Sequence, residues 1–291
     1  MHPAPSIIAF TTFSGLGLGL LAWLGVDPTP PTGWVAFVFF FIGFAMAIGG
    51  LAASAFHLGR PERALKAFSQ WRSSWLSREA WLAATALGLM GIYAAGLIFA
   101  SWRLALLGWL GAALCLTTVY ATSMIYGQLK TVPRWDSPWT SLLFLMLSVA
   151  GGALLSGRIH VAMVLIVLAG AVQVWWWYSG DRRFNTSDST LATATGLGAI
   201  GAVRAFEPPH TGPNYLLREM VHVVGRRHAA RLRVIALALM VVLPVGLLLL
   251  PGPHHLWALL AVVSHILGVL TARWLFFAEA EHVVGLYYGK H

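Results

Sequence analysis

Residues 34–56 read WVAFVFFFIGFAMAIGGLAASAF, and residues 57–79, which follow, read HLGRPERALKAFSQWRSSWLSRE. The first stretch carries no charge in 23 positions. A helix rises about 1.5 Å per residue, so this run spans a hydrocarbon core of about 30 Å. The second stretch holds five of the chain's nineteen Lys and Arg, and another apolar run follows it. A His closes the first run and a Glu opens the next. Two titratable groups therefore stand at one membrane edge, joined by a basic loop that contains tryptophan.

The same alternation fills the chain. Eight apolar runs reach spanning length, near 7–26, 34–56, 80–100, 104–126, 139–156, 161–178, 234–250 and 256–277. The predicted fold is an all-α membrane protein of eight transmembrane helices, forming a single integral membrane domain over 1–291. Short connections such as Asp27-Pro28-Thr29-Pro30-Pro31 cannot continue a helix and make sequential spans antiparallel neighbours.

Composition agrees. Apolar residues make up 58% of the chain and charged ones 10%, against about 25% charged in soluble domains. The mean hydropathy is +0.74. The net charge of +9 sits in loops between apolar runs, so it points to membrane lipid and not to nucleic acid. A single cysteine, Cys115, makes no internal disulfide, no paired-cysteine zinc site and no iron–sulfur cluster of the chain's own. Any electrons must arrive through a partner's clusters. The opening MHPAP lacks a positive segment, so the first run is predicted to be a retained helix.

With eight spans, seventeen Lys and Arg fall on the side of the termini and two, Arg103 and Arg158, on the other. The positive-inside rule places both termini and the basic loops in the cytoplasm, and the chain in a bacterial inner membrane. The loop over 179–230 exceeds a simple connector. Within it, 214–227 shows Leu217, Met220, Val221 and Val224 at helical spacing, which predicts an amphipathic basic helix. It either lies on anionic lipid or docks a cytoplasmic partner. Arg60, Arg63, Arg218, Arg226 and Arg227 are the candidate docking cations.

His57 and Glu79 admit two readings. Each suits its helix end: an imidazolium at a C-terminus, and a carboxylate two residues past Ser77, a predicted N-cap. Both are then decoration at headgroup depth. Alternatively they face a cleft and serve a quinone, whose reduction needs a proton donor at a carbonyl oxygen and an apolar, aromatic wall. Arg72 and Trp75 complete the candidate quinone-binding set. His57, His265 and His282 are the candidate ligands for a haem b, which needs paired axial ligands; a lone His265 in an apolar run reads first as a hydrogen-bonded structural residue. No metal site is predicted. Glu279, Glu281 and His282 are expected to pair with loop arginines.

Several pieces, in order along the whole chain, carry a family resemblance: MHPAPSIIAFTTFSG, FHLGRPERA, SWLSRE, IYGQLKTVPRWDSPWT and RWLFFAEAEHVVGLYYG. The chain resembles the membrane anchor subunits of DMSO-reductase-type molybdoenzymes. The segments ATATGLG, VRAFEPPHT, NYLLREM and RWLFFAEAEHVV look most like the anchors of cytoplasmic sulfite dehydrogenases. The resemblance implies a quinone-binding anchor (ubiquinone or menaquinone). Its partners would be an iron–sulfur electron-transfer subunit and a molybdopterin catalytic subunit. It also implies quinone-binding roles for His57 and Glu79, and it makes haem unusual. Electrons would pass from sulfite oxidation to quinone. The reverse flow, quinol oxidised and an S- or N-oxide reduced, keeps the same fold. A transporter is the remote alternative, since no internal repeat and few midplane charges are evident.

Overall fold

The computed structural model describes residues 1–56, 61–207, 209–212, 214–221 and 224–289. Among them there is no strand, and eight helices are long and apolar enough to cross a membrane. They are α1 (Pro5–Val26), α2 (Gly33–Ala55), α3 (Trp75–Phe99), α4 (Ala105–Gly127), α5 (Pro138–Leu155), α6 (Ile159–Arg183), α7 (Arg226–Leu248) and α8 (His254–Ala278). The expected count holds. The clearest difference is at α3, which starts at Trp75 with Ser74 in the N-cap position. Ser77 and Glu79 therefore lie inside the helix, and Ser77 is not its cap. Arg226–His228 form a 3-10 entry to α7, so this span also begins earlier than its apolar run.

α1 is the most enclosed span and packs against α2, α4 and α5. Its sequence GLGLGLLAWLGV explains this. A Cβ on Gly19 would strike the backbone of Ser148 in α5, and one on Gly25 would strike Gly108 O in α4. Lipid gives no hydrophobic drive between helices, so close backbone approach at small residues supplies the packing.

At the end away from the termini, Arg158 pairs with Asp27 at 2.7 Å and lies over the Trp23 ring. One of the two basic residues on that side is thus neutralised within the fold. At the opposite end four charges from four segments close a ring. Asp181 in α6 pairs with Arg134 at 2.7 Å and with Arg233 in α7 at 2.6 Å. Arg233 also holds Glu279, just past α8, at 2.7 Å. Burial pushes the Glu279 carboxyl above the usual carboxylate range, against the pull of the two guanidiniums. Glu281 pairs with Arg226. The expected pairing of the acidic tail with loop arginines is therefore present for both carboxylates.

Beneath that ring, Phe276 of α8 stacks between Trp135 and Trp176, at 5.1 Å from each. Trp135 donates its indole N–H to Phe276 O at 3.0 Å. The segments around 125–140 and 273–289, both of which carry the family resemblance, thus pack on each other.

The segment 214–227 does not form one helix among its described residues. Leu216–Met220 make a π turn, and Val221 leaves helical geometry (φ −109°, ψ 55°). Competing bonds to the rest of the chain decide this. His2 N donates to Glu219 O at 2.8 Å, the Asn214 amide donates to Tyr288 Oη at 3.0 Å, and Val221 is buried.

Candidate functional site

The head of α3 is fixed by its own loop. Gln70 N donates to Ser77 Oγ at 3.3 Å, and Trp81 Nε1 donates to Phe68 O at 3.0 Å. Arg78 turns back to donate to Trp71 O and Arg72 O, at 3.0 and 2.7 Å, and its guanidinium covers the Trp75 ring at 4.4 Å. Trp75 meets Tyr120 of α4 edge-on. Residues one apart on a helix point about 100° apart. With Arg78 held at the loop surface, Glu79 turns inward.

Glu79 is 3% exposed and accepts a hydrogen bond from Thr122 Oγ1 of α4. The same hydroxyl lies 3.0 Å from Thr118 O. A hydroxyl has one proton to donate. A carboxyl that carries a proton satisfies both contacts, donating to Thr122 while Thr122 donates to Thr118 O. Helix-end decoration at headgroup depth does not describe this residue.

Thr122 also borders a narrow polar cavity inside the bundle, lined by Thr12, Ser14, Phe144, Ser148 and Arg273 among others. It has room for little more than a water molecule. A π turn at Phe10–Ser14 in α1 brings Thr12 and Ser14 to it. Arg273 is 3% exposed, with its guanidinium 3.5 Å from the centre of the Phe144 ring. Tyr126 lies within electrostatic range of both Glu79 and Arg273.

His57 and Arg60 lie outside the described residues. Arg72 is exposed, with its guanidinium over Trp71, and Trp75 is half-buried beside Arg78. Arg63, Arg218 and Arg227 are exposed. Arg226 is engaged by Glu281 and is not a free surface cation.

The histidines proposed for haem are held in other ways. Pro244 has no N–H for the carbonyl four residues back, Met240 O. His265 Nδ1 donates to that oxygen at 2.8 Å. Its Nε2 faces Gly151 of α5, where an added Cβ would stand 3.3 Å away, so a porphyrin does not fit between them. His282 Nδ1 accepts from Val284 N at 3.0 Å and starts the C-terminal 3-10 turn.

Sequence reasoning passed over Thr122 and Arg273. Thr122 is one of many hydroxyls in apolar runs and gave no signal. Arg273 did give one: an arginine five residues inside an apolar run, with Val269 and Phe277 at the helical neighbour positions, has no acidic partner on its own helix.

Residues 3–173 match the family model described as DMSO reductase anchor subunit (DmsC). The chain is 32% identical to a subunit of the sulfite dehydrogenase of Allochromatium vinosum over 327 aligned residues, which cover 99% of each chain. No solved structure matches it.

Proposed function

We propose, since the chain belongs to the DMSO reductase anchor subunit (DmsC) family, that it is the quinone-reactive subunit of a sulfite-oxidising complex. The observation that carries this reading is Glu79, a carboxyl buried at the head of a spanning helix with one hydroxyl partner. The relative named as part of a sulfite dehydrogenase supports the choice of sulfite. A catalytic molybdopterin subunit oxidises sulfite with water to sulfate, releasing two electrons and two protons. The electrons reach this chain through an iron–sulfur subunit. Quinone takes up two electrons and two protons to become hydroquinone.

In this reading the quinone ring meets Glu79 from the side of the α3 head, where Trp75 offers an aromatic wall and His57 precedes the loop. The inner side of Glu79 is closed by Thr122, and the cavity beyond is too small for a ring. Glu79 gives its proton to one quinone oxygen. The excess of Lys and Arg on the side of the termini favours a cytoplasmic site, with Arg60, Arg63, Arg218 and Arg227 available to the iron–sulfur subunit.

Glu79→Gln in the assembled complex tests the reading. Sulfite-to-quinone turnover should fall at least about a hundredfold, the usual scale of a lost general acid, while sulfite oxidation with a soluble dye continues. Full quinone turnover in that variant would remove Glu79 from the site. Alkaline phosphatase activity from a fusion within 184–207 would overturn the orientation.

A further inference from the structure

Arg273 is the buried cation that the fold leaves without a counter-ion. No ion pair reaches it among the described residues, and its Nε and Nη1 have no hydrogen-bond partner there. The nearby carboxylate Glu279 is already taken by Arg134 and Arg233. Arginine stays charged in proteins, and a charge at this depth is costly unless it serves a pathway or a ligand. Stacking on Phe144 does not account for it, because an apolar side chain would fill that contact without stranding two N–H groups.

The cavity shows what the cation is directed at. Arg273 and Thr122 line the same small polar space, and Thr122 is the partner of Glu79. The Thr12 hydroxyl, brought there by the π turn, is unpartnered as well. A π turn widens the helix for one turn and often marks a functional position. Beside this route Tyr126 stands between the carboxyl and the guanidinium in electrostatic terms.

We propose that Arg273 is a positioning residue of the quinone site, whose fixed charge offsets the negative charge left on Glu79 when the carboxyl hands its proton to quinone. The inference rests on the quinone reading above. In the step it describes, the Glu79 O–H bond breaks and a quinone O–H bond forms. Electrons come from the partner's iron–sulfur cluster, and bulk water supplies the second proton and restores the first. Arg273 touches neither quinone nor electron donor. It acts across the cavity, through Thr122 and a water that the space admits.

The test uses the full complex with Arg273→Lys and Arg273→Gln, and quinone reduction normalised to sulfite oxidation with a soluble dye. Charge is what the proposal requires, so Arg273→Lys should keep quinone kcat within about threefold, and Arg273→Gln should lose about tenfold or more with KM nearly unchanged. Equal loss in both variants assigns a packing role and overturns the proposal, as does full activity in Arg273→Gln. If Arg273→Gln fails to assemble, Thr122→Val decides, since it cuts the same link and spares the cation: an unchanged kcat overturns the proposal. Glu79→Gln separates the two levels. If it is inactive while Arg273→Gln is fully active, only the role of Arg273 falls; if it is fully active, the quinone reading falls with it.

Discussion

Thr122 of α4 holds the carboxyl of Glu79 of α3 inside the bundle, and the same hydroxyl stands on the rim of the cavity that contains Arg273. One small side chain thus joins a buried acid to a buried base that never touch. Thr122→Val keeps the shape and removes the hydroxyl, leaving a buried carboxyl unpartnered. The expected cost is about 1–3 kcal/mol of complex stability. Thr122→Ser should restore it, and thermal unfolding of the detergent-purified complex measures both.

The contact of Gly25 with Gly108 admits no side chain, because a Cβ on Gly25 falls on a backbone oxygen. Gly25→Val should destabilise the α1–α4 seam by about 1–3 kcal/mol through overpacking. Gly49→Ala is the control, since a Cβ there meets nothing within 4 Å. Unfolding midpoints should drop for the first variant and hold for the second.

Arg233 is the hub of the charge ring, shared by Asp181 and Glu279. Replacing it with Met leaves Glu279, 3% exposed, facing only the more distant Arg134 at 3.8 Å. Breaking a buried pair from one side costs on the order of 3 kcal/mol. Restoring neutrality with Arg233→Met plus Glu279→Gln should recover most of the loss. A double variant no more stable than the single one would show that the ring is not a coupled unit.

The C-terminal turn should respond to acid. Burial, then the nearby terminal amine, holds the His282 imidazole below its ordinary value. Its Nδ1 must be unprotonated to accept from Val284 N. The folded turn binds fewer protons than the released one, so its stability is complete above the ordinary histidine range, near pH 6.5, and fades as pH falls through it. Hydrogen exchange at Val284 should accelerate on acidification in the native protein. In His282→Asn, which retains a capping acceptor, exchange corrected for its intrinsic pH dependence should stay flat.

Much of this protein was legible without a structure. A bilayer forces every backbone polar group to be satisfied within the segment, so a charge-free run of about 20 residues has one outcome. That local rule determined the eight spans, and the distribution of Lys and Arg separated the two faces. Helix ends were less legible. The α3 start moved to Trp75 because Arg78 and Trp81 bond back to the loop, a matter of side-chain reach that apolarity does not report. The helix expected over 214–227 gave way to bonds from His2 and Tyr288, residues distant in sequence.

From its sequence alone, Glu79 was as good a helix-end ornament as a buried acid. Helical phase decided between them: Arg78 is drawn to the loop, so its neighbour faces α4. Arg273, counted among the charges on the side of the termini, became a cavity wall only when α1, α4, α5 and α8 closed around it. The sequence determined what must cross the membrane, because that depends on the polarity of contiguous residues. Tertiary structure alone decided which polar groups meet inside, because that depends on how helices far apart in the chain turn toward one another.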